Sequence, residues 1–139
     1  MLLVTGITGH TGRYFLQELI NHKYDGAIRC IVRETSDTSI LDASGLNIEK
    51  FYGDLNDEKF IKSTMIGIDK VMHIYNIHHS PIIVDAAIEK KVERVILVHT
   101  TGIYTQCKYA SQEYKDIEKK KKKRTSVVDC PTEITILRP

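Results

Sequence analysis

The chain has 139 residues, 42% of them hydrophobic and 27% charged, which is enough for one domain with its own core. A formal net charge of +2 argues against nucleic acid as a partner, and no apolar stretch reaches membrane-spanning length. Cys30, Cys107 and Cys130 are odd in number and widely spaced, and no signal peptide precedes the first strand, so reduced thiols in a cytoplasmic protein are expected.

Met1–Thr5 is a short apolar run and reads as a strand. It feeds directly into Gly6-Ile7-Thr8-Gly9-His10-Thr11-Gly12-Arg13, and this into Tyr14-Phe15-Leu16-Gln17-Glu18-Leu19-Ile20. Phe15, Leu16, Leu19 and Ile20 fall on one face of a helix. The order is strand, glycine loop, helix, with glycines spaced G-x-x-G-x-x-G. Such a turn presents bare backbone N–H groups and a helix N-terminus to a pyrophosphate. The first glycine permits the turn, the second allows close approach of phosphate, and the third lets helix and strand pack tightly. Thr8 and Thr11 can add hydroxyl donors, and Thr11 also suits a helix cap. His10 and Arg13 lie at the rim, where donors and cations favour phosphate; the plainer reading of His10 is an exposed loop residue.

Further along, Ile28–Val32 and Ile48–Tyr52 read as the second and third strands. Asn56 is placed to cap a helix through Ile66, stopped by Gly67. Lys70–Tyr75 reads as the fourth strand. Ser80-Pro81 reads as cap and first-turn proline of a helix that buries Ile82, Ile83, Ala86 and Ala87. Arg94–Thr100 is the fifth expected strand, a helix follows from about Tyr109, and Ile134–Leu137 is the sixth strand. Strands alternating with helices, in nearly continuous apolar runs, predict an α/β fold: a doubly wound parallel sheet of the Rossmann type, strand order 3-2-1-4-5-6. Residues 1–139 are expected to form one NAD(P)-binding domain. The sequence stops right after the sixth strand, so a C-terminal substrate-binding part is expected to be absent and the chain to be a fragment.

Several pieces together resemble the extended and atypical branch of the short-chain dehydrogenase/reductase superfamily. That branch holds NAD-dependent epimerase/dehydratase proteins and NmrA-like NAD(P)-binding proteins. The pieces are Thr5-Gly6-Ile7-Thr8-Gly9-His10-Thr11-Gly12, Val32-Arg33, Gly53-Asp54-Leu55, Ala86-Ala87 before Val92-Glu93-Arg94-Val95, His99-Thr100-Thr101-Gly102-Ile103-Tyr104, and Thr135-Ile136-Leu137-Arg138-Pro139. The resemblance implies a dinucleotide cofactor gripped by Gly6, Thr8, Gly9, His10, Thr11 and Gly12. At the end of the second strand an acidic residue would take the ribose 2′-OH of NAD, and an arginine the 2′-phosphate of NADP. Arg33 matches the arginine variant, so NADP is expected ahead of NAD, although Glu34 beside it would repel that phosphate if it pointed inward. By the same resemblance Asp54 bonds the adenine edge and Leu55 packs on the ring. Tyr75, Asn76 and Thr100 lie where family members meet the rest of the cofactor.

The family's chemistry uses Tyr and Lys in Y-x-x-x-K, with a nearby Ser or Thr. Tyr104-Thr105-Gln106-Cys107-Lys108 matches, with Thr101 as the hydroxyl residue. Yet only two residues separate Thr101 from Tyr104, where the family commonly has about a dozen or more. Two readings stay open: an oxidoreductase or sugar-nucleotide epimerase when full length, acting on a small molecule, or a non-catalytic NmrA-like redox sensor. An FAD- or nucleotide-binding module of the same sheet type is a third. No P-loop lysine follows the glycines, which argues against phosphoryl transfer. His73, His78 and His79 form a loose group without the partners of a metal site, so they read as a wall near the cofactor or as surface. His99 reads as a core histidine. Lys119–Lys123 with Arg124 reads as the solvated, cation-favoured end of a helix.

Overall fold

A computed structural model of the chain describes residues 1–74, 77–98 and 132–137. Strand β1, Leu2–Thr5, lies at the centre of a six-stranded sheet. Around it stand β2, Ile28–Val32; β3, Ile48–Tyr52; β4, Lys70–His73; β5, Arg94–Val98; and β6, Glu133–Leu137. The order is β3-β2-β1-β4-β5-β6, and every pairing is parallel, as the alternation of strands and helices predicts. The bounds of β2 and β3 match the expected ones. β1 begins one residue later than expected, at Leu2, β6 begins one residue earlier, at Glu133, and β4 stops at His73, before Ile74.

Helix α1, His10–Asn21, and the single turn α2, Ser39–Asp42, cover one face; α3, Glu58–Thr64, and α4, Ser80–Glu89, cover the other. Alternating strand residues supply the two cores. Val4, Ile28, Cys30 and Val32 pack with Leu16, Leu19 and Leu41 on the first face. Leu3, Ile31, Val71, Val95 and Leu97 pack with Ile61, Met65, Ile83, Ala86 and Ala87 on the second. Burial of each such aliphatic side chain stabilises by roughly 1.5–3 kcal/mol against leaving it exposed, and burial on both faces explains why the inner strands β1 and β2 lack a polar alternation. Val84 joins the buried face of α4, and Ile82 is only half-buried.

Three caps differ from expectation. Helix α1 is capped by the Gly9 backbone, so Thr11 lies inside the first turn rather than at the cap. Asp57, not Asn56, caps α3: its Oδ1 accepts from the Phe60 amide at 3.1 Å. Asn56 is diverted because its amide and side-chain nitrogen both donate to Asp54 Oδ1, at 2.8 and 3.0 Å. His79 occupies the cap of α4 at the end of a 3₁₀ turn, Ile77–His79, which makes Ser80 and Pro81 the first two helical residues. No helix among the described residues is long and apolar enough to cross a membrane.

Candidate functional site

The carboxyl ends of β1, β2 and β3 open together, and their loops line a cavity of about 670 Å³. Parallel strands end on one side of a sheet, and where successive connections turn to opposite faces the loops separate and leave a crevice. Gly6, Thr8 and Gly9 line it from the loop after β1. Arg33, Glu34, Thr35 and Ser36 line it after β2, and Gly53 to Asn56 after β3. His79, from the entry to α4, completes the described wall.

The glycine turn is built for close approach. Gly6 adopts φ +74°, a left-handed conformation that a side chain disfavours. The Gly9 amide donates to the Gly6 carbonyl at 3.1 Å, which folds the loop back on itself. At Gly12 a Cβ would stand 2.1 Å from the Gly6 carbonyl oxygen and 2.5 Å from the Ile7 Cα, so only hydrogen fits between α1 and the turn. No side chain caps α1 and its first turn holds no acidic residue. The positive end of the helix dipole therefore faces the turn without a competing carboxylate. Arg13 Nε donates to the Thr8 carbonyl at 3.2 Å and braces the loop from the helix side.

Beneath the turn, Thr5 Oγ1 and His73 Nδ1 meet at 2.6 Å, both residues fully buried. This bond ties the ends of β1 and β4 together immediately before Gly6. His73 is thus a core residue and His78 an exposed one, while His79 lines the cavity, so the three histidines form no common site. Among the described residues no group of three or more His, Cys, Asp or Glu could hold a metal ion.

After β2, the Ser36 amide closes a turn on the Arg33 carbonyl at 2.9 Å, and Arg33 and Glu34 are exposed to the cavity mouth. After β3, the Gly53 amide donates to the Val32 carbonyl at 3.1 Å, which holds the second and third loops side by side. Asp54 Oδ1 is engaged by Asn56, and Leu55 packs on the core beneath α3 and α4.

Of the expected cofactor residues, Gly6, Thr8, Gly9, Arg33, Asp54 and Leu55 meet in this one cavity. Gly12 acts from below, through helix packing. His10 and Thr11 are exposed on α1 outside the lining, and the His10 ring packs edge-on against Tyr14 with centroids 5.4 Å apart. Tyr75, Asn76, His99, Thr100, Thr101, Tyr104, Lys108, the helix from Tyr109 and the lysine run lie outside the described residues. Thr35, Ser36 and Asn56 line the cavity without having been expected there. The rule that ligands sit beyond strand carboxyl ends would have reached all three.

The donors, the open helix end and the glycine that tolerates no Cβ fit a dinucleotide diphosphate. A family model described as NAD(P)H-binding matches residues 6–139. The chain is also similar to sterol demethylase protein B of Methylococcus capsulatus, at 37% identity over 71 residues, covering 51% of this chain and 20% of that protein. In structure it is similar to Pen from Bacillus thuringiensis, with TM-score 0.82 and 21% identity, covering 99% of this chain and 48% of the other. It is similar as well to an NADPH-dependent quinone oxidoreductase from Escherichia coli, with TM-score 0.70 and 25% identity, covering 100% of this chain and 47% of the other. The chain thus spans about half the length of these solved structures and a fifth of the curated relative. Both the geometry and the match from the first glycine onward lead to one family: the chain belongs to the NAD(P)H-binding family and is a Rossmann-type NAD(P)-binding domain.

Proposed function

We propose that this chain is the cofactor-holding half of a cytoplasmic NADP-preferring oxidoreductase or epimerase-like protein acting on a small molecule. The observation that carries the reading is the single cavity in which the glycine turn, the Arg33–Ser36 loop and the Gly53–Asn56 loop meet. In it the glycine turn from Gly6 to Gly9 and the Thr8 hydroxyl hold the diphosphate, with α1 supplying the favourable dipole. The Arg33 guanidinium takes the 2′-phosphate through charge-assisted bonds, helped by the hydroxyls of Thr35 and Ser36. Asp54 offers its second carboxylate oxygen to the adenine amino group, and Leu55 gives the ring an apolar floor. Tyr75, Asn76 and Thr100 are proposed to continue the contacts toward the nicotinamide. When bound, the cofactor supplies hydride chemistry. Thr101, Tyr104 and Lys108 are the proposed chemical residues: Lys108 contacts the ribose and lowers the phenol pKa, and Tyr104 exchanges a proton with the substrate oxygen.

The short interval between Thr101 and Tyr104 favours a second reading, a dinucleotide-binding regulator of NmrA-like type without turnover. One set of titrations tests the reading. NADPH is expected to bind more tightly than NADH, and Arg33→Ala to weaken NADPH about tenfold while leaving NADH near its original affinity. Indifference to both nucleotides counts against the whole reading. Tight NADPH binding with no reduction of carbonyl substrates by the full-length protein favours the regulator.

A further inference from the structure

The cavity described above has an uneven chemistry. Its walls after β1 and β2 are glycine, hydroxyl and charge, suited to phosphates and ribose. Its wall on the α3 and α4 side is different. There Gly53, Asp54, Leu55 and Asn56 lead into α3, and His79 leads into α4. No phenylalanine, tyrosine or tryptophan lines the cavity among the described residues, so among them His79 is the one aromatic residue of the lining.

Two features fix the backbone that carries that residue. His79 sits at the cap of α4 with φ −87° and ψ −11°, at the end of the 3₁₀ turn, and the residue after it, Ser80, is fully buried. Helix α4 is anchored in turn by Ile83, Val84, Ala86 and Ala87, each fully buried. A half-buried histidine on a fixed helix entry, lining the cavity, is a prepared surface for a flat partner. The flat group of a nucleotide is its base, and bases stack on aromatic side chains, histidine included.

We propose that His79 is a binding residue for the adenine ring, forming a π wall of the base pocket on the α4 side. The proposal rests on the cavity holding the adenosine half of the cofactor. His79 then adds affinity for the base at this end of the site, while Gly6, Thr8 and Gly9 answer only to the diphosphate.

The test uses ADP as the probe, with inorganic pyrophosphate as the control that lacks a base. In calorimetric titrations His79→Ala is expected to weaken ADP roughly tenfold, the scale of one base–aromatic stack, and to leave pyrophosphate unchanged. His79→Phe should keep ADP within about twofold of the original. Independently of any variant, the imidazole proton resonances of His79 should move upfield as ADP is added, because the base's ring current acts on them. A structural role in capping α4 does not produce that shift. ADP bound equally by the original protein and by His79→Ala, or ADP bound with no shift of the His79 resonances, overturns the proposal and leaves the adenosine reading of the cavity standing. Failure of the original protein to bind ADP at all overturns both.

Discussion

Gly12 shows how one hydrogen atom decides the site. Its missing Cβ leaves room for the Gly6 carbonyl, which a methyl group would meet at 2.1 Å. The obstacle is backbone on both sides, so no rotamer change relieves it. Gly12→Ala is expected to destabilise the fold on the order of 3 kcal/mol, at the upper end of overpacking costs, and to abolish NADPH binding. Urea unfolding and cofactor titration check the two effects. A stable, cofactor-binding Gly12→Ala protein would show that α1 can retreat from the turn. The glycine spacing was legible in the sequence because each glycine answers a steric demand. Of the two readings of His10 the exposed one holds, with the residue on the first turn of α1 rather than in the loop and its ring edge-on to Tyr14.

At the level of elements, β2 and β3 could be read to the residue because each begins at an isoleucine and ends on bulky residues, Ile31-Val32 and Phe51-Tyr52, closed by Arg33 and by Gly53. The four-residue α2 has no periodicity to read and went unpredicted. Caps were ambiguous for a chemical reason. Asn56 and Asp57 are both good cap residues, and only the structure shows Asp54 recruiting Asn56, which leaves the cap to its neighbour. Asp57→Ala should cost about 1 kcal/mol, read as a lower urea midpoint, and Asn56→Ala should cost less. The reverse order would return the cap to Asn56. The far end of α3 is also held: Arg29 Nη1 donates to the carbonyls of Thr64 and Ile66 at 2.8 and 2.9 Å. Its Nε reaches Glu49 at 3.0 Å, and its guanidinium lies 4.5 Å from the Phe51 ring centroid. The helix that follows the base-side loop is thereby capped at its start by Asp57 and fastened to β2 at its end by Arg29.

For the whole molecule, burial of Cys30 between β2 and the first helical layer has a pH signature. Desolvation raises its thiol from 9.0 to about 12. The folded state therefore keeps a proton that the unfolded chain releases above pH 9. This contribution is intact below pH 9 and is lost as pH climbs toward 12. Cys30→Ala should flatten that part of the alkaline decline, measured as the slope of unfolding free energy against pH rather than its absolute value. An unchanged slope would mean that the thiol ionises as readily inside as outside. The sheet order itself was readable, since helical crossovers between buried strands leave few topologies.

The parallel sheet also governs how the molecule is made. Strand β1 pairs with β2, from Leu2 to Ile28, and with β4, from Leu2 to Lys70, so no ladder in its neighbourhood can start from a tight hairpin. Strand β1 must wait for partners from both sides, and chain closure must be achieved before any ladder rewards it. The mouth that grips the nucleotide comes into being only when these distant segments have met. Nucleotide in the refolding mixture should consequently leave the early collapse untouched and act only on the final, assembled state.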